Sequence, residues 1–309
     1  MSASAIWNDW SCRVRLTVTR PQALAPAKQH LVALMADVAL AADRFSSHSD
    51  VSRVNDAAGR LIPVGRRTIA LVDIALDAAA ETGGAVDPTI GAHLVRAGYT
   101  TDIEDVRDRM VAPADDDTIR RSPLPQADWT QVRVDHELGR IGIPAGLRLD
   151  LGATAKAWTA DVAAHAIASS LGTGVLVEIG GDVAVAGTKK TPWQVHVSER
   201  SGEPGQPVGL ERGGLATSST IARRWRTASG DAHHLIDPRT GLPAVGPWRT
   251  VTAWAPSAVQ ANTATTAALV LGDEAVAYLT ELDVAARLVD HGGRVLTVGA
   301  WPTQAEAAA

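Results

Sequence analysis

The sequence predicts an α+β fold with largely antiparallel sheets flanked by helices. Alternating apolar stretches arrive in pairs around short turns, as hairpins do, and apolar stripes at helical spacing lie between them. The order does not follow the strict strand–helix–strand alternation of a parallel sheet, and there is no fixed-period repeat. No linker is long enough to separate independent domains, so one globular unit over residues 1–309 is expected. With 309 residues, 46% of them hydrophobic, the chain has ample core to fold without staples.

The elements follow in order. Leu31, Leu34, Met35, Val38, Ala42 and Phe45 form an apolar stripe, which predicts an amphipathic helix over 26–45. Ser46 to Asn55 reads as a polar turn. Thr68 is expected to cap a helix that runs to about Glu81 and stops at Gly83-Gly84. Residues 100–130 are charged and contain prolines, which predicts a surface excursion. Val132–Asp135 and Arg140–Ile143 flank a His-Glu-Leu-Gly turn as a hairpin, and Leu147–Leu151 reads as a short strand. A helix is expected from Thr154 to Leu171, ending at Gly172, then strands at Val175–Ile179 and Trp193–Val197. The last third predicts a strand at 250–255, helices over 257–271 and 273–282, and a closing hairpin at 285–300. The tail over 302–309 is expected to fray.

Composition excludes several function classes. Lys+Arg 29 against Asp+Glu 34 gives a net charge of −5, so nucleic acid and anionic lipid are not default partners. The single cysteine, Cys12, excludes intrachain disulfides and a cysteine-based zinc cluster. No uncharged apolar run reaches the roughly 18 residues of a membrane span, so no membrane insertion is expected. The first residues lack a basic start followed by an apolar run, and a cytoplasmic location is expected. There is no Rossmann, Walker, zincin or nucleophile-elbow motif.

Five segments are instead unusually rich in Gly, Asp, His and Thr at element ends. Gly84–Gly91 contains Asp87-Pro88-Thr89, where Asp-Pro breaks the chain and Gly91 lets backbone approach a ligand. Leu149–Lys156 passes through Gly152 into a helix start whose N–H groups and Lys156 suit a phosphate. Glu178–Asp182 carries paired glycines after an apolar strand. His233–Gly241 sets two histidines beside an Asp-Pro turn, and imidazole titrates near neutrality, as a ligand or general base should. Asn262 and Thr266 are spaced i,i+4 on one helix face, and two hard oxygens one turn apart suit a Mg²⁺ site. Each segment alone also fits an ordinary turn or helix-packing role.

Taken together and in this order, the segments resemble the ApbE family, the FAD:protein FMN transferases. The resemblance is carried by Ser52-Arg53-Val54-Asn55, Asp87–Gly91, Asp150–Lys156, Gly180–Asp182, Ala216-Thr217-Ser218, His234–Gly241 and Val270-Leu271-Gly272. It covers about residues 10–300 and implies an ApbE-like, T-fold-like architecture. It also implies a Mg²⁺-dependent enzyme that moves the FMN half of FAD onto a Thr or Ser hydroxyl of an acceptor flavoprotein, releasing AMP. The metal would be held by the Ala153 carbonyl, Asn262 and Thr266. His234 would be the base or positioning group, and Ala85, Val86, Asp87, Thr89, Asp150, Gly152, Lys156, Gly181 and Ser218 would contact FAD. Two positions depart from the family pattern. Asn262 stands where Asp is usual, which predicts lower metal affinity or greater reliance on the FAD phosphates. Trp10-Ser11 stands where the family has Gly-Thr. An acceptor in the cytoplasm or on a cytoplasmic-facing segment is expected. Two alternatives stay open: FAD pyrophosphatase activity with water as acceptor, and a non-catalytic flavin-binding protein.

Overall fold

The computed structural model describes residues 2–108, 124–200, 202–227 and 230–302. Residues 303–309 of the expected fraying tail and the middle of the 100–130 excursion fall outside the described residues. Packing divides the chain into two compact units. One is drawn from residues 1–35, 156–222 and 246–309, the other from 36–155 and 223–245.

The first unit is built on an eight-stranded sheet whose spatial order follows the chain: β1 (Ala3–Asp9), β2 (Cys12–Val18), β3 (Val175–Ile179), β4 (Asp182–Ala186), β5 (Gly213–Ser219), β6 (Trp248–Ala255), β7 (Ala285–Asp290) and β8 (Val295–Val298). Every neighbouring pair is antiparallel. Period-2 alternation gives the sheet two different faces. Leu176, Val183, Val185 and Leu215 pack on one side with the hairpin Trp193–Val197/Gln206–Leu210 and with Trp301.

The other face of β5 carries small residues. Gly214 lies against Ala258, Ala216 clusters with Ala255 and Ala261, and Ser218 Oγ bonds Thr265 Oγ1 at 2.9 Å. The helix Ala258–Leu271 thus sits close to the sheet, as its run of Ala and Thr permits. Ser257 caps it by accepting from Gln260 N. Asp161, on the helix Ala155–Leu171, accepts from Ala258 N and Val259 N at 2.9 and 3.0 Å, so two more amides of that first turn are satisfied.

The second unit holds the helices Asp50–Asp56, Arg66–Glu81, Gly91–Arg96 and Ile103–Asp108 and a small sheet of Ile62–Pro63, Arg140–Gly142 and Arg133–Asp135. Four expectations need correction here. The polar stretch after Ser46 is a helix over Asp50–Asp56, because Ser49 caps it by accepting from Ser52 N. The next helix starts after Gly65 rather than at Thr68. Asp50 reaches across to accept from both Gly65 N and Thr68 Oγ1 at 2.7 Å. Leu147–Leu151 is no strand, for only Arg148 forms a bridge, with Ile90. Within the expected excursion, Ile103 and Val106 are buried with Leu94, Tyr99, Trp225 and Ile236. Among the described residues no helix is long and apolar enough to cross a membrane.

Candidate active site

The flagged segments fall into two sets, one in each unit. In the second unit, Asn55 pairs with the backbone of Leu149 like a strand edge: Oδ1 accepts from Leu149 N at 2.6 Å and Nδ2 donates to Leu149 O at 3.0 Å. Asp150 N donates to Pro88 O at 2.8 Å, and Gly91 N donates to Arg148 O at 2.9 Å. A Cβ on Gly91 would stand 2.7 Å from that carbonyl, so this crossing requires glycine. Ser52–Asn55, Asp87–Gly91 and Asp150–Ala153 are therefore one hydrogen-bonded body.

The carboxylates in this body are turned inward. Asp87, buried, accepts from Thr89 N, Thr89 Oγ1 and Trp129 N at 2.7, 2.6 and 3.2 Å. Thr89 Oγ1 in turn accepts from Asp128 N at 2.9 Å. Burial pushes the Asp87 carboxyl above its ordinary range, against the pull of these donors. Asp150 accepts from Gly152 N at 2.8 Å and pairs with Arg44 Nε at 2.5 Å. Arg44 lies over the rings of Phe45 and Tyr99, 4.2 and 4.6 Å from their centroids. The sequence reading missed Arg44. These side chains shape the segment, and Ala85, Val86, Gly152 and Ala153 carry its backbone alongside them.

His234 follows the hairpin Arg224–Thr227/Gly230–His233 and precedes a closed turn. Asp237 accepts from Arg239 N and Nε through Oδ1 and from Arg239 Nη2 through Oδ2, at 2.9, 2.9 and 3.0 Å, while its carbonyl accepts from Gly241 N at 2.8 Å. His233 contacts the carbonyl of Ala244 through Nε2 at 3.1 Å. A carbonyl only accepts, so His233 is the Nε2–H tautomer and is engaged in holding the loop.

Gly241, at φ 69°, packs on the ring of His93; a Cβ there would come 2.4 Å from Nδ1. His93 is another residue sequence reasoning missed. It is 6% exposed, and burial holds its pKa below the ordinary histidine value. The Pro125 backbone pulls the other way, Arg96 adds to the lowering, and Asp87 and the Gly241 backbone oppose it. A folded-state pKa below the unfolded one means the unfolded chain binds more protons as pH falls below 6.5, so stability is lost in that direction. We expect the urea midpoint to drop between about pH 7.5 and about pH 5 in the wild type, and to drop less in His93→Leu. Parallel pH profiles would refute that role.

In the first unit, Gly180 and Gly181 make the β3–β4 turn at φ 62° and 107°, which brings Asp182 to the start of β4. A Cβ on Gly180 would meet Cys12 Sγ at 2.9 Å and Lys156 Cδ at 3.9 Å, so the glycine pair, Cys12 and the first turn of the Ala155–Leu171 helix are neighbours. Trp10 and Ser11 form the β1–β2 turn, both at positive φ, where glycine would be unstrained.

Asp182, Ser218, Asn262, Thr265 and Thr266 form a buried polar cluster. Asn262 Nδ2 donates to Asp182 Oδ1 at 2.7 Å, Thr266 Oγ1 donates to Asn262 Oδ1 at 3.1 Å, and Ser218 Oγ lies 3.1 Å from Thr266 Oγ1. Among the described residues, no three His, Cys, Asp or Glu side chains converge on a metal position. The donors here are a carboxylate, an amide oxygen and hydroxyls. That hard-oxygen set fits Mg²⁺, which takes few protein carboxylates and completes its shell with water or substrate phosphate.

With both sets of segments placed, the comparison with known proteins is decisive. Residues 9–288 match the ApbE family. The chain belongs to the ApbE family. A Treponema pallidum FAD:protein FMN transferase is 31% identical over 287 residues, covering 85% of this chain and 76% of that protein. A Salmonella typhimurium FAD:protein FMN transferase is 26% identical over 217 residues, covering 69% of this chain and 61% of that protein. The crystal structure of the ApbE protein from Thermotoga maritima superposes with a TM-score of 0.81 at 26% identity, over 96% of this chain and 97% of that one. The ApbE fold expected from the motifs is thus the fold observed.

Proposed function

We propose that this chain, acting as one ApbE-like transferase over its whole length, moves FMN from FAD to a Thr or Ser hydroxyl of an acceptor flavoprotein, in a Mg²⁺-dependent reaction. The observation that carries the reading is the ApbE match over residues 9–288, which takes in all seven motif segments. The acceptor oxygen forms a bond to the phosphorus on the riboflavin side. The bond to the bridging oxygen breaks, and AMP leaves with that oxygen.

His234 takes the proton of the acceptor hydroxyl, and the Asp237–Arg239 turn fixes its loop. Lys156, in the first turn of the Ala155–Leu171 helix, adds positive charge for the pyrophosphate. Asn262 and Thr266 would hold the cation with their side-chain oxygens, and the resemblance implies the Ala153 carbonyl as a further ligand. A divalent cation bound there would neutralise charge on the pyrophosphate. Ala85, Val86, Asp87, Thr89, Asp150, Gly152, Gly181 and Ser218 remain the FAD-contacting segments, with Asp87, Thr89 and Asp150 acting through the backbone they shape.

Calorimetry with FAD and NAD as ligands tests this reading, since the chain lacks a Rossmann fingerprint. FAD should bind and NAD should bind far more weakly. Equal affinities, or AMP release from FAD that survives a chelator, would overturn it.

A further inference from the structure

We propose that Asp182 is the positioning residue of the cation site, fixing the amide of Asn262 and supplying the negative charge that this amide lacks. The proposal deepens the metal reading above and rests on it. A carboxylate accepts hydrogen bonds and an amide has one donating and one accepting end, so the end of Asn262 that meets Asp182 is Nδ2. The oxygen end is thereby turned to Thr266 Oγ1, which donates to it. Without Asp182 the amide is free to flip and present its NH₂ group, which cannot ligate a metal.

Burial makes the arrangement consequential. Asp182 and Asn262 are 3% and 7% exposed, and a charge so far from water acts at much greater strength than one on the surface. Strand alternation explains why Asp182 is there at all. Val183 and Val185 turn to the apolar face of β4, so Asp182 turns to the face that meets the Ala258–Leu271 helix.

The contact also adds a cost to restoring a carboxylate at position 262. Restoring a carboxylate with Asn262→Asp would be expected to tighten metal binding by adding charge. In this structure it sets two carboxylates where a 2.7 Å hydrogen bond now stands, a repulsive pair in a buried place. That variant should melt lower than wild type without Mg²⁺ and gain more from Mg²⁺ than wild type does. Exchanging the two residues, in Asp182→Asn with Asn262→Asp, keeps one carboxylate and one amide in contact.

The test is Mg²⁺ titration by calorimetry, with thermal melts in Mg²⁺ and in chelator, on wild type, Asp182→Asn, Asn262→Asp and the exchanged pair. Asp182→Asn should weaken Mg²⁺ binding by roughly 10–100-fold, the cost usual for a residue that orients a metal ligand. The exchanged pair should recover most of that loss. A purely structural Asp182 would lower the melting temperature equally in Mg²⁺ and in chelator, and that result would overturn the proposal. Unchanged affinity in Asp182→Asn, or an exchanged pair as weak as Asp182→Asn, would overturn it too, while leaving the Mg²⁺ reading intact. If the wild type binds no Mg²⁺, the metal reading itself falls, and this proposal with it.

Discussion

His234→Ala should lose FMN transfer by roughly 10²–10⁴-fold while FAD affinity changes little, the range expected when a positioned base is removed. A Thr or Ser hydroxyl is a weak nucleophile until its proton has somewhere to go. The chain offers two adjacent histidines, and the structure distinguishes them. His233 is committed through Nε2 to the carbonyl of Ala244, so its loss should cost about 1 kcal/mol of stability and leave transfer nearly intact. His234 stands at the head of the turn that Asp237 closes on Arg239. Single-turnover kinetics on the two alanine variants separates the roles. A silent His234→Ala beside a crippled His233→Ala would show that the motif register is wrong by one.

Gly214→Ala should have the largest effect on folding. The added Cβ would lie 2.2 Å from Ala258 N and 2.4 Å from Ala258 Cα, both backbone atoms, which no side-chain adjustment relieves. The helix Ala258–Leu271 would have to lift from β5, straining the Ala216–Ala261 contact and the Ser218–Thr265 hydrogen bond. Overpacking of this kind costs about 1–3 kcal/mol and sometimes more. Because that helix carries Asn262 and Thr266, Mg²⁺ affinity should fall together with the melting temperature. A variant that melts like wild type would mean that the sheet and helix are not as closely seated as they stand here.

Much of this architecture is legible in the sequence where local chemistry decides it. The helix ending at Gly172, the strand Val175–Ile179 running into Gly180-Gly181 and the helix over 257–271 all follow from residues adjacent in the chain. The β1–β2 hairpin escapes such a reading, because its turn is Trp10-Ser11, which carries no glycine or asparagine signal despite positive φ at both positions. The Asp50–Asp56 helix was hidden by its polarity, although Ser49 was there to cap it. The motif residues were legible as motifs, but their partners were not. Arg44 on Asp150, His93 beneath Gly241 and Asp182 on Asn262 are contacts between residues far apart in sequence. No periodicity marks such pairs, since the fold alone brings them together.

As an ApbE-family transferase, the chain should couple cleavage of FAD to protein flavinylation. The direct measurement is to incubate it with FAD, Mg²⁺ and a candidate acceptor flavoprotein, then quantify AMP and protein-bound flavin in the same sample. AMP and covalent flavin should form in equal amounts, both lost when Mg²⁺ is chelated and both lost in His234→Ala. AMP formed without bound flavin would make water the acceptor, and FAD bound with no AMP at all would contradict the claim of catalysis.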